Sequence, residues 1–167
     1  MIMMAVSSAA ESQSSSTGLE VSAEASLLVD TNNPRVFLTV HLVNTSDREL
    51  TVLTKQLNLV VQPSSDHLVL SIGYGDPAVT HHGHPVVPSL YDFSPVRLQP
   101  NEEALVQREV SGGLGVLGKD NDTALVVAYT VSAEWGKRFA VWSGAVMTAP
   151  FKASIKKRQS APEPQLH

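Results

Sequence analysis

Alternation of apolar and polar residues dominates the chain from Leu19 onward. In "LEVSAEASLLV", Leu19, Val21, Ala23, Ala25, Leu27 and Val29 fall on one side, and Glu20, Ser22, Glu24 and Ser26 on the other. A repeat of two residues marks a half-buried strand. The same period runs through "RVFLTVHLV", with Val36, Leu38, Val40 and Leu42 facing inward, and through "HLVLSIGY", with Leu68, Leu70, Ile72 and Tyr74 inward. "DTNNP" and "NTSD" (Asn44 to Asp47) separate these runs as turns, in which short polar side chains cap backbone groups. "ELTVLT" and "KQLNLVVQ" are further strands, the second broken by Pro63.

Later segments repeat the pattern. In "VRLQPNEEALVQREV", Ala104, Val106 and Val110 alternate with Glu103, Leu105, Gln107 and Glu109, which favours a strand. The alternative is a helix opening at Asn101, a good N-cap followed by two glutamates. "TALVVAYTVSAEW" is the clearest strand, with Leu125, Val127, Tyr129, Val131, Ala133 and Trp135 on one face. "GK" is expected to reverse the chain into "RFAVWSGAVMTAPF" as a hairpin. With about eight short strands and no helix, the expected class is all-β, an antiparallel two-sheet sandwich.

Regularity fails over residues 73–95, which carry four prolines and three glycines. Proline removes a ladder donor, so this stretch is expected to be a long irregular loop, with at most a short edge strand. Loops of this length in compact domains often carry function. Residues 1–18 are expected to be a disordered or processed N-terminal segment, apolar in "MIMMAV" and then small and polar. Residues 19–151 form the single domain, and 152–167 a flexible, basic, proline-containing tail.

Composition narrows the function classes. The chain has 167 residues, a net charge of −4 and only 17% charged residues. No clustered basic surface suited to DNA or RNA is expected from that balance. Cysteine is absent, which excludes disulfides, thiolate metal sites and cysteine nucleophiles. No apolar run approaches the roughly 20 residues of a spanning helix. The compartment stays open.

The stretch "GGLGVLGKD" fits G-x-G-x-x-G through Gly113, Gly115 and Gly118, and falls one residue short of a P-loop, with Asp120 where Ser or Thr would hold Mg²⁺. A phosphate cradle needs a helix leaving the glycines. "KDNDTALVVAY" reads as turn and then strand, so a nucleotide is not expected. "HHGHP" sets His81, His82 and His84 within four positions, and imidazole is a common ligand of zinc and copper. In an extended chain His82 and His84 point the same way, with His81, Asp76, Asp92, His41 or His67 as further ligands. The competing reading is a polar loop with solvated histidines. No G-x-S-x-G elbow occurs, and the adjacent Glu102 and Glu103 would point apart in a strand, so no enzyme is expected.

Aromatic residues offer another kind of site. Tyr91 and Phe93, beside Leu90 and with Tyr74 and Asp76 at the start of the same stretch, are the candidate contacts for a protein partner. Against this, Tyr91 and Phe93 would pin the loop onto the sandwich. Trp135 is expected in the core, whereas Trp142 is ambiguous. Lys156, Lys157 and Arg158 form a short basic run in the tail. Asn44 and Asn121 head N-x-S/T sequons, which matter only in a glycosylating pathway.

"VFLTVHLVNTSDRELTV" (36–52) resembles the strand, Asn-centred turn and next strand of bacterial immunoglobulin-like domains. "VRLQPNEEALVQREV" (96–110) resembles their "L-x-P-G-E" corner, with Asn101 standing where glycine is usual. The order and spacing are similar to the intracellular proteinase inhibitor family and related small accessory domains. The resemblance implies an immunoglobulin-like β-sandwich of about seven to eight strands, and protease inhibition as a lesser possibility. The leading expectation is a non-enzymatic interaction or assembly module, binding a protein partner or itself through loop 73–95 and exposed strand edges. A metal-binding module built on His81, His82 and His84 is the alternative.

Overall fold

The structure, a computed structural model, describes residues 18–28, 35–55, 57–64, 66–74, 79–81, 84–86, 94–110 and 123–156. The period-two segments become strands β1 (Leu19–Leu28), β2 (Arg35–Asn44), β3 (Leu50–Leu53), β4 (Asn58–Pro63) and β5 (His67–Tyr74). A hairpin follows, β6 (Val79–His81) and β7 (His84–Val86), then β8 (Pro95–Leu98), β9 (Glu103–Val110) and β10 (Ala124–Val131). Helix α1 (Ala133–Phe139), β11 (Gly144–Met147) and β12 (Ser154–Lys156) complete the order. The class is all-β, with one short helix.

One four-stranded sheet has the order β12-β1-β2-β9 and the other β11-β10-β5-β4, while β3–β8 and β6–β7 pair as two-stranded sheets. The two larger sheets contribute to one hydrophobic core: Val21, Leu38 and Val106 from the first, Leu70, Val127 and Tyr129 from the second. Each buried Leu or Val there is worth about 1.5–3 kcal/mol relative to exposure. The expected alternation along β1, β2, β5 and β9 matches their burial.

Four expectations are corrected. Pairing is not purely antiparallel, since β5–β10 and β1–β12 are parallel. Parallel neighbours need a long crossover, and residues 75–123 supply it between β5 and β10; nothing in a strand's own pattern marks the direction of its partner. Residues 133–139 form a helix instead of the end of a strand and a hairpin turn. There Trp135 and Phe139 are one turn apart, with ring centroids at 4.8 Å, and Glu134 opens while Lys137 and Arg138 close a segment suited to the helix dipole. Within 73–95, Gly73 and Tyr74 belong to β5, the hairpin β6–β7 occupies the middle and Pro95 opens β8. The first part of the expected tail belongs to the fold, since Ala153 is buried just after Phe151 and β12 then pairs with β1.

Asn44 locks the corner between β2 and β9. It is fully buried. Its Nδ2 donates to the Arg48 carbonyl at 2.8 Å and to the Leu98 carbonyl at 2.9 Å, and its Oδ1 accepts from the Ser46 backbone N–H at 2.9 Å and hydroxyl at 2.7 Å. Its backbone N–H donates to the Glu102 carbonyl, and its carbonyl accepts from Asn101. Asn101 takes φ 67°, the left-handed region that Asn tolerates better than other side-chain-bearing residues. With both Nδ2 hydrogens engaged inside the protein, the Asn44 sequon is closed to glycosylation in the folded chain. Asn44→Ala strands two carbonyls and an N–H, and should lower the unfolding free energy by about 2–4 kcal/mol in urea titrations.

Candidate functional site

The hairpin β6–β7 reverses the chain between His81 and His84, which are directly opposed in its register. His81 and His84 therefore stand on neighbouring strands, opposite each other, and not along one strand. His82 itself, with Asp76, Leu90, Tyr91, Asp92 and Phe93, lies outside the described residues, as do the glycines of 111–122 and Asn121. The segment entered after those glycines is strand β10. His41 and His67, the more distant candidate ligands, are engaged elsewhere. The His41 ring lies between Glu103 at Nδ1 and Glu24 at Nε2, 3.6 Å away, and His67 Nδ1 meets Asp66 at 2.7 Å. Among the described residues no group of three or more such side chains is arranged to hold a metal ion.

Glu102 precedes β9 and Glu103 opens it, and the two carboxylates go to different partners. Glu102 Oε2 accepts from the Gln99 N–H at 2.7 Å, while Glu103 turns to His41. Trp135 and Trp142 are both buried, and Trp142 stacks on Tyr129 with centroids 5.6 Å apart.

Tyr74 is a core residue, which removes it from the expected partner contacts. Its ring packs on Trp135 at 4.7 Å, and its hydroxyl donates to the Lys55 carbonyl. It is one of three side chains that satisfy the link between β3 and β4. Tyr129 donates to the Leu53 carbonyl at 2.9 Å and accepts from the Leu53 N–H at 3.2 Å, and Arg108 reaches across from β9 to the Leu57 carbonyl. Burial pushes both phenols well above the ordinary tyrosine value. At Tyr74 the neighbouring Tyr129 adds to the rise and Arg108 opposes it; at Tyr129 the bond to Leu53 opposes it.

The solvent sides of the two large sheets differ in chemistry. On the first, β1 carries Glu20 and Glu24, β9 carries Glu103 and Glu109, and β2 carries Arg35, Phe37 and His41 between them. Arg35 binds Glu109 at 3.3 Å and lies over the Phe37 ring at 5.8 Å. On the second, the register builds rows straight across four strands. One row is Val60, Ser71, Ala128 and Met147; another is Asn58, Gly73, Thr130 and Ala145. A third sets Gln62, Val69 and Val126 side by side. None of these residues is charged.

Val60 and Met147, at the two ends of the first row, are 49% and 52% exposed. Gly73 fits because a Cβ there would sit 1.7 Å from the Thr130 carbonyl oxygen, so only glycine lets β5 and β10 approach so closely. A shallow depression follows the second row, lined by Asn58, Val60, Ser71, Gly73 and Thr130. Sequence reasoning passed over this face. The signal was the apolar character of Val126 and Ala128 at the outward positions of β10, where alternation calls for polar side chains.

A phenol that ionises less readily in the folded chain than in the unfolded one ties stability to pH. Above about pH 10 the unfolded chain releases the proton and the folded chain holds it, so stability is intact below that point and falls as pH rises. Tyr129, the more deeply buried of the two, should give a decline of up to about 1.4 kcal/mol per pH unit that Tyr129→Phe removes, as read from urea unfolding between pH 8 and 12. No helix among the described residues is long and apolar enough to cross a membrane. No family model, curated protein or solved structure matches this chain.

Proposed function

We propose that this chain is a non-enzymatic interaction module, an immunoglobulin-like two-sheet sandwich that binds protein through the uncharged solvent side of its β11-β10-β5-β4 sheet. The carrying observation is the three charge-free rows of that face, with Val60 and Met147 half-exposed at the two ends of one of them. Half-exposed apolar side chains gain by being covered, and the absence of charge from the rows between them lowers the desolvation penalty that covering would bring. The sandwich reading is supported by two four-stranded sheets sharing one core, and by the Asn44 corner joining the end of β2 to the start of β9. The opposite face also half-exposes Phe37 and Leu105, but sets them among four glutamates whose charge makes covering costly. Tyr91, Phe93, Leu90 and Asp76 of the 73–95 stretch remain proposed as additional contacts.

A photo-crosslinking side chain at position 147, introduced into the protein in its native cells, should give discrete protein adducts, whereas the same group at Glu20 should give none. Equal labelling from both positions, or none from 147, would count against the reading.

A second reading is metal binding at the β6–β7 hairpin, favoured by the direct opposition of His81 and His84. Replacing His81, His82 and His84 together by alanine should abolish stoichiometric zinc or copper uptake measured by native mass spectrometry. Uptake equal to that of the parent protein excludes the hairpin as the site.

A further inference from the structure

The free edge of β4 has a specific pattern of unused hydrogen-bonding groups. β4 pairs with β5 on one side and, among the described residues, with no strand on the other. The Ser64 N–H donates to the His67 carbonyl at 2.8 Å, which fixes the phase of the ladder. In an antiparallel pair, bonded and non-bonded positions alternate. Counting back from Ser64, residues 62, 60 and 58 direct their backbone groups at β5. Residues 57, 59, 61 and 63 direct theirs at the free edge.

Two of those four are closed. The Leu57 carbonyl already accepts from Arg108, and Pro63 has no N–H to give. Leu59 and Val61 remain, each with one donor and one acceptor. An unpaired edge of this kind is a template for another strand.

Resting on the reading of this chain as an interaction module, we infer that the protein self-associates by antiparallel pairing of β4 with β4 of a second copy, centred on Val60. Only a strand of matching length and spacing satisfies the edge, and β4 itself supplies one. Three two-fold registers are available. Centring on Leu59 places Val61 opposite Leu57, whose carbonyl is occupied. Centring on Val61 places Leu59 opposite Pro63, which lacks a donor. Centring on Val60 places Leu59 opposite Val61 of the second copy, and all four free groups of each copy find partners.

The side chains agree with that register. Val60 meets Val60 of the second copy at a non-bonded position, where side chains approach most closely. Asn58 meets Gln62, amide against amide. No charge is brought against a like charge, which matters for a chain of net charge −4. The edge of the other sheet at β9 is less suited to self-pairing, since Glu103 and Glu109 stand on it and Arg108 points inward from it. Joining two β4 strands also makes the uncharged face continuous across eight strands, roughly 40 Å wide at about 4.8 Å per strand.

The test uses sedimentation velocity and native mass spectrometry of the full chain up to millimolar concentration. The parent protein should dimerise. Val60→Lys and Val60→Glu, changes at a half-exposed position, should each raise the dimer dissociation constant about ten- to a hundredfold by setting like charges face to face. Mixed in equal amounts, the two variants should form a heterodimer as tight as the parent dimer or tighter, because an ammonium then faces a carboxylate across the pairing axis. A parent protein that stays monomeric overturns the inference, and so does a dimer indifferent to both variants. Crosslinked partners from position 147 in the presence of a monomeric parent protein would overturn self-pairing and leave the interaction module standing.

Discussion

Every backbone polar group that leaves a ladder inside this protein must find another partner, and the architecture follows from how that requirement is met. At one corner Asn44 alone serves two carbonyls and a turn N–H, tying the end of β2 to β8 and to the start of β9. At the link between β3 and β4, alternate carbonyls at residues 53, 55 and 57 are taken by Tyr129, Tyr74 and Arg108, each from a different strand. Core packing supplies most of the driving force. These polar contacts decide where the chain turns and how the sheets are joined. Among the described residues, the same accounting leaves the backbone groups of Leu59 and Val61 unserved at the edge of β4.

The two large sheets are built from similar inward faces and present different outward ones. One is wet, acidic and laced with weak surface ion pairs such as Arg35 with Glu109, which add little to stability. The other offers no charge across three rows and narrows to glycine where β5 meets β10. A protein that needed only to stay folded and dispersed would gain by placing charge on both faces. In the proposed function the contrast has a purpose, with one face kept for solvent and the other for contact.

The strand segments were legible because their burial follows the period-two pattern. Leu68, Leu70 and Ile72 point into the core as the alternation requires. The polar turn before β9 was legible as a break in the alternation, and Asn101 takes the left-handed conformation there that its residue type tolerates. Direction of pairing was not legible, because β10 reads the same whether β5 runs with it or against it. Helix α1 was missed because Trp135 continues the period of β10 while also lying one helical turn from Phe139, and only packing chooses between the two. The uncharged face escaped notice because it is assembled from four strands, with Val60 and Met147 far apart in sequence and joined by register alone.

The parallel pairing of β1 with β12 has a consequence for how the protein is made. Ser26 lies opposite Ser154, so the strand that covers the outer edge of β1 is translated 128 residues later. At about 5–20 residues per second, the nascent chain carries that edge bare for roughly 6–26 s. Throughout that interval the outer edge of β1 is a template for foreign strands, and β12 is what retires the hazard. A message cut short before β12 would therefore yield a protein whose other paired strands are all present while the outer edge of β1 stays an open seam.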